Sequence, residues 1–348
     1  LGLLMWQDDA TGRWWSSGCS VRDPERLREA AAPLPAPDGR GPVRVLAGGS
    51  WGEVGHLALD GRGRTLGYGV GDRRVVELEA CPGAGAFLEL YASRDGYAVA
   101  ARRLRTNALL WEQDVAIDGE TPVGLGCAAG RSPGAYVATS THLHADRASE
   151  GHVLQLGDDT RRVVYEGSLF DAAFGPRDRA FLQRDTGGSQ VAELDLRSGS
   201  ARFIGGTPRG AAPLAVSPDG RRLATVAGAS LFVFDLATGS KTRRELRGDT
   251  FGEAGWFGER TVGYFPRCGD NRGIEVFDAA LETRRRVPGR WCASDSATVG
   301  RRAWGIFAGI VRKATIRGGV RVVARFPSKN LNVLAGVPGD RSVEWPEP

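Results

Sequence analysis

Residues 211–248 read AAPLAVSPDGRRLATVAGASLFVFDLATGSKTRRELRG. Four short runs alternate with tight turns. Residues 213–216 are apolar, and Ser217-Pro218-Asp219-Gly220 follows as a turn. In that turn Pro218 presets φ, Asp219 can bond its own backbone, and Gly220 takes a positive φ without a Cβ clash. Residues 222–226 are a second strand, and Gly228-Ala229-Ser230 breaks it. Leu231-Phe232-Val233-Phe234 is a third, and Asp235-Leu236-Ala237-Thr238-Gly239 turns into a polar, Arg-rich fourth. A four-stranded sheet of this kind cannot bury both faces alone, so it needs copies of itself on either side. The stretch reads as one blade of a β-propeller.

Working outward, the hairpin element Asp235-x-x-Thr238-Gly239 has counterparts at Asp195-x-x-Ser198-Gly199 and Asp8-x-x-Thr11-Gly12. Repeats of about 40 residues, the blade period, run through the chain. Inner hairpins are expected near 54–71, 86–103, 126–140, 168–184, 212–228, 252–267 and 293–309. The expected fold is therefore all-β, a propeller of seven blades built from four-stranded antiparallel sheets, with six or eight blades as the alternatives. Residues 1–42 are expected to hold outer-hairpin strands, a short helix over 22–32 and a Pro/Gly linker over 33–42. Residues 43–348 are the propeller proper. The N-terminal hairpin lacks inner strands of its own, and the stretches 331–336 and 343–345 have nothing after them. Pairing residues 1–15 with 331–345 in one sheet would close the ring and remove two open edges.

The composition is that of a globular chain. Gly makes up 50 of 348 residues, about twice the usual ~7%, which suits a fold made of tight hairpins. The net charge is +5, carried almost wholly by Arg. These Arg residues are spread over every repeat and balanced by 41 acids, not gathered on one face among aromatics, so no nucleic-acid partner is expected. No apolar run reaches the ~20 residues of a membrane helix. The opening Leu1-Gly2-Leu3-Leu4-Met5-Trp6 is too short for a signal peptide, and a removed export signal upstream is one reading of it.

Ser217-Pro218-Asp219-Gly220-Arg221-Arg222-Leu223-Ala224 is similar to the repeat of the TolB-like (PD40) propellers, relatives of the WD40 class. Gly175-Pro176-Arg177-Asp178-Arg179 and Asp60-Gly61-Arg62-Gly63-Arg64 are degenerate forms of it, and the Trp-Asp dipeptide of WD40 repeats is absent. The resemblance implies a bacterial periplasm or envelope, and it carries over no catalytic residue. The family covers binding platforms and enzymes alike.

Five cysteines stand at 19, 81, 127, 268 and 292, with no C-x-x-C among them. In a propeller, the loops entering first strands and the loops joining second to third strands open on one face. Cys268 falls in the second kind of loop and Cys292 in the first, so a Cys268–Cys292 bridge is expected. Cys81 and Cys127 sit in Gly-rich connections and form a second candidate pair. Disulfides place the chain in an oxidising, extracytoplasmic compartment; free thiols would instead allow the cytoplasm.

Gly48-Gly49-Ser50-Trp51-Gly52 matches G-x-S-x-G, but the residues after it, 54–59, read as a strand and not as the helix a nucleophile elbow requires. No catalytic residue is assigned. Three of the four histidines cluster in Thr141-His142-Leu143-His144-Ala145-Asp146 and at His152. His142 and His144 share a side of an extended chain. With Asp146 and His152 they are the candidate ligand-binding residues, and a zinc-like ion is the one cofactor they admit. The expected function is an extracytoplasmic, non-catalytic binding or scaffold propeller for a protein, a peptide or a glycan. The alternative is a propeller hydrolase or lyase with a metal near the axial face.

Overall fold

In the computed structural model, residues 41–343 and two N-terminal strands, 5–8 and 13–16, are described. The exceptions within them are 52–53, 71–72, 94–95, 116, 118, 129–131, 142–149, 186–188, 208–212, 247–251, 267–272 and 327–330. The chain is an all-β propeller of seven four-stranded antiparallel blades.

Blade 1 joins β30 (Leu331–Val343) to β3 (Gly41–Trp51), β4 (Val54–Leu59) and β5 (Thr65–Val70). Blade 2 is β6 (Arg74–Cys81), β7 (Ala86–Ser93), β8 (Gly96–Arg103) and β9 (Leu109–Asp114). Blade 3 is β10 (Thr121–Ala128), β11 (Gly134–Ser140), β12 (Glu150–Gly157) and β13 (Thr160–Ser168). Blades 4 to 7 repeat the pattern. Their first strands are β14 (Asp171–Gly175), β18 (Ala215–Val216), β22 (Gly252–Trp256) and β26 (Asp295–Val299).

The core is a ring of slabs, one per blade interface. The third strand of blade 5, β20 (Ser230–Asp235), shows how the sequence makes it. Leu231 and Val233 pack towards blade 6 with Trp256, Val262 and Tyr264. Phe232 and Phe234 pack towards blade 4 with Phe181 and Val191. A strand buried on both faces needs apolar residues at consecutive positions, and that is why Leu-Phe-Val-Phe is unbroken. In this repeat Leu214, Phe232 and Phe234 are buried between blades and Val216 is partly so.

The turns explain the sequence repeats. Asp235 Oδ1 accepts the N–H groups of Ala237 (3.1 Å) and Thr238 (3.0 Å), and Asp195 Oδ1 accepts those of Arg197 and Ser198 (both 2.9 Å). Gly239 and Gly199 close these turns at φ 69° and 74°, a left-handed conformation natural to glycine. At the inner turn, Ser217 Oγ donates to Asp219 Oδ1 (2.6 Å) and accepts from Arg222 N–H (2.9 Å).

Three expectations need correction. The ring closes by antiparallel pairing of β30 with β3, from Gly41↔Val343 to Gly49↔Leu331, with register shifts between Val43 and Val45 and between Gly48 and Gly49. Residues 1–15 do not supply the partner. β1 (Met5–Asp8) and β2 (Arg13–Ser16) pair with each other in a sheet of their own. Because the C-terminus supplies the first strand of blade 1, the chain enters that blade at its second strand. The hairpins expected at 54–71 and 86–103 are therefore not inner hairpins. The first is the outer half of blade 1, and the second is the middle pair of blade 2. The other five inner hairpins lie where expected. Residues 22–42 fall largely outside the described residues.

Candidate functional site: the axial cavity

The first strand of every blade faces the axis. Together they enclose a cavity of about 590 Å³. Its wall carries five carboxylic acids: Glu77 and Glu79 from β6, Asp171 from β14, Glu253 from β22 and Asp295 from β26. Arg74 is the one basic residue among the described residues of the wall. Leu125, Phe174, Leu214, Val216 and Val333 give it apolar patches.

Local strand geometry puts the acids there. A register shift between Val75 and Glu77 bulges β6. Beyond it Glu77 and Glu79 alternate with Leu78, which is buried between blades 1 and 2, so both acids project from the opposite side of the strand. Asp171 and Asp295 are the first residues of their strands and Glu253 the second of its own. These acids therefore cluster at the entry ends of the inner strands.

Three of the acids bridge blades that share no ladder hydrogen bonds. Glu77 Oε1 accepts the N–H of Leu125 in blade 3 (3.1 Å). Asp171 Oδ2 accepts that of Leu214, ahead of β18 in blade 5 (3.2 Å). Asp295 Oδ2 accepts that of Leu334 in the closing strand (2.7 Å), across the seam of the ring. Glu79 has no such role: burial alone perturbs it, with no hydrogen bond to offset the cost.

The electrostatics follow. Water can enter the cavity, so these side chains keep some accessible surface, yet protein surrounds them and sets a low local dielectric. Burial, then repulsion by Glu79, pushes Glu77 up to about 8, although the Leu125 N–H works against it. Burial, then Glu253, pushes Asp295 up to about 8. Burial raises Glu79 to about 7 and Asp171 to about 6. Carboxyls confined together cannot all ionise near neutrality.

A side chamber of about 230 Å³ adjoins the cavity and shares Pro213, Leu214, Val216 and Glu253 with it. Ser296 lines this chamber. Its hydroxyl oxygen is fully buried and has no hydrogen-bond partner.

Of the residues singled out from sequence, His142, His144 and Asp146 lie outside the described residues. His152 is in β12, away from the cavity wall. Its Nδ1 lies 2.8 Å from Oε1 of Glu120, whose other oxygen accepts the Thr139 hydroxyl (2.5 Å). Its Nε2 lies 4.0 Å from Oε1 of the exposed Glu166. Among the described residues no group of three or more His, Cys, Asp or Glu side chains is placed to hold a metal ion. Ser50 lies within β3, with no helix after it. His56, unassigned from sequence, is buried between blades 1 and 2. Its ring nitrogens lie 2.9 Å from Glu89 Oε1 and 2.9 Å from Asn107 Oδ1, and Glu89 also accepts from Arg102 Nε (2.9 Å).

Cys81 and Cys127 are bonded, with Cα atoms 5.7 Å apart. They stand at or near the exit ends of β6 and β10, so the bridge fastens blades 2 and 3 on the face opposite the strand-entry loops. Cys292 is disulfide-bonded as well. Cys268, the partner expected for it, lies outside the described residues.

The cavity acids had a faint signal in the sequence. Glu77-Leu78-Glu79 puts two acids on one side of a strand that should be apolar on both. Three later blades begin their first strand with an acid at position one or two.

No family model matches the chain, and neither does any curated protein. Solved structures do. One is a chain of a nidogen/laminin complex, at 13% identity and a TM-score of 0.46, covering 71% of this chain and 92% of that one. Another is puromycin hydrolase, at 13% identity and a TM-score of 0.60, covering 85% of this chain and 54% of that one. The chain thus spans about half of the puromycin hydrolase chain. At such identity the likeness is one of fold, and the fold of this chain is the seven-bladed β-propeller.

Proposed function

We propose that the chain is an extracytoplasmic, non-catalytic binding propeller of the TolB-like kind, and that its ligand enters the axial cavity. The observation that carries this reading is the cavity itself. Seven inner strands converge on a space within the ~300–1,000 Å³ range of ligand pockets, and its wall mixes apolar patches with convergent polar groups. The Ser217-Pro218-Asp219-Gly220 turn supports the family, and the Cys81–Cys127 bond supports an oxidising compartment. The test is a thermal-shift screen of amino acids, short peptides, sugars and polyamines on the protein and on Val333→Trp. That substitution fills the cavity from β30. Some ligand class should raise the melting temperature of the wild type and not of a folded Val333→Trp. Shifts that all persist in the filled variant, or an absence of shifts in either, would refute the reading.

The Glu120–His152 contact favours a second reading, a metal-dependent hydrolase or lyase. A carboxylate on Nδ1 leaves Nε2 as the outward nitrogen, the arrangement of a ligating histidine. His142, His144 and Asp146 would complete such a site, with a protein, peptide or glycan as substrate. Metal analysis of the protein incubated with zinc tests it. Stoichiometric zinc, lost in His152→Ala, supports it, and none bound refutes it.

A further inference from the structure

We propose that the axial cavity takes a cationic group on an aliphatic stem, a primary ammonium or a guanidinium, and releases a proton as it does so. This inference rests on the reading of the cavity as the ligand site. Its wall carries Glu77, Glu79, Asp171, Glu253 and Asp295 against Arg74 alone. β30, β3, β10 and β18 contribute no titratable group among the described residues of the wall.

Two observations go beyond a gathering of acids. The bridging hydrogen bonds explain Glu77, Asp171 and Asp295 as ties between blades. They do not explain Glu79, which faces the cavity uncompensated. They also leave the buried Ser296 hydroxyl in the side chamber without a partner. Both are groups that a hydrogen-bond donor with positive charge would satisfy, and leaving them unmet is costly.

The spacing chooses among cations. No three of these carboxylates converge on a point, so a bare divalent ion would not find its usual shell of oxygens. An ammonium or guanidinium can reach acids spread around a wall through separate N–H bonds. Its methylene stem would lie along Leu125, Leu214, Val216 and Val333, as such stems lie on apolar surface elsewhere. A lysine or arginine side chain of a peptide and a small free amine share this chemistry.

The proton follows from charge. Crowding and burial hold part of the acid set neutral near pH 7. An entering cation favours the ionised form, so a carboxyl proton passes to solvent and no bond of the ligand changes.

The experiment is titration calorimetry with four probes: n-butylamine, Gly-Lys, its isostere with an uncharged side chain Gly-norleucine, and Gly-Glu, the three peptides N-acetylated so that no terminal ammonium competes with the side chain. It is run in phosphate and in MOPS, whose ionisation heats differ and neither of which is a primary amine, on the wild type, Glu79→Gln and Val333→Trp. Gly-Lys should bind at least about tenfold more tightly than Gly-norleucine, a difference of ~1.4 kcal/mol. Its affinity should rise by up to about tenfold per pH unit between 6 and 8 for each proton displaced. The buffer difference should report that proton, and Glu79→Gln should weaken binding about tenfold while melting normally. Binding of n-butylamine as well points to free amines, and binding of Gly-Lys alone to a peptide side chain; both support the inference. If Gly-norleucine or Gly-Glu binds as well as Gly-Lys, and only when the cavity is open, the cation inference falls and the cavity reading stands. Gly-Lys binding that is unchanged in both variants overturns the inference, as does an absence of heat from all four probes. The broader screen then judges the cavity.

Discussion

Deleting residues 331–348 removes β30, and its cost can be worked from the packing. Leu331 and Val337 are fully buried, and Leu334 and Ala335 nearly so. Val337 and Ala335 pack between blades 1 and 2, and Leu331 and Leu334 between blades 7 and 1. At ~1.5–3 kcal/mol for each buried Leu or Val side chain, Leu331, Leu334 and Val337 together are worth about 5–9 kcal/mol. The truncation also opens the edge of β3 and breaks the Asp295–Leu334 tie. Domains have only ~5–15 kcal/mol in total. The truncated chain should therefore lose its cooperative calorimetric transition, or melt at least ~10 °C lower at the ~2–4 °C per kcal/mol of a large domain. It should also self-associate through the exposed edge. Deleting residues 1–16 leaves every blade with four strands and should keep the transition. A 331–348 truncation that melts with the full chain would refute the closure argument.

Further outcomes follow from the same structure. Glu89 is held down to about 2: burial opposes this, but His56 and Arg102 outweigh it. Glu89→Gln should cost about 3–5 kcal/mol in chemical denaturation, as breaking a buried ion pair does; a loss below ~1 kcal/mol would show that the cluster is solvated. The stability Glu89 contributes is present above its unfolded value near 4.5 and is lost as pH falls through about 2. The axial acids act in the opposite sense. Their stability is complete below the unfolded values and is lost as pH rises through about 6 to 8. Melting temperature should thus peak near about pH 4 to 4.5, where Glu89 has just ionised in the unfolded chain and the axial acids are still protonated in both states, and fall from there towards pH 8, and Asp295→Asn should flatten the decline; a profile rising from pH 5 to 8 contradicts this. The Cys81–Cys127 bond closes a loop of separation 46, worth about 4 kcal/mol by chain entropy, so Cys81→Ala with Cys127→Ala should lower the denaturation midpoint. Unfolded but unreduced protein should titrate one thiol of its five cysteines; five free thiols would remove the extracytoplasmic argument.

The architecture was legible because it is local. A blade is about 40 consecutive residues, and Leu231-Phe232-Val233-Phe234 with its flanking turns carries both the strand order and the double burial. The seam was not, because nothing in residues 331–343 names β3 as partner rather than β1. The pairing depends on where the ring meets itself, and misplacing it displaced blade 1 by two strands and blade 2 by one. The site was hidden for a related reason. Glu77, Asp171, Glu253 and Asp295 lie far apart in the chain and meet only when seven blades close. The eye falls instead on the histidines clustered within residues 142–152, of which only His152 is described, with Nδ1 already engaged by Glu120.

The axis is an acidic cavity in which burial raises the carboxyls of Glu77, Glu79, Asp171 and Asp295, with repulsion by Glu79 adding to the shift at Glu77 and by Glu253 to that at Asp295. The most direct measurement is a titration of the Asp and Glu carboxyl signals, by infrared or carbon NMR, in the wild type, Glu77→Gln and Asp295→Asn. We expect a set of carboxyls with midpoints at about 6 to 8, from which one of the highest disappears in each variant. If every carboxyl ionises below pH 5, the acids are solvated singly and the axial site is not as described.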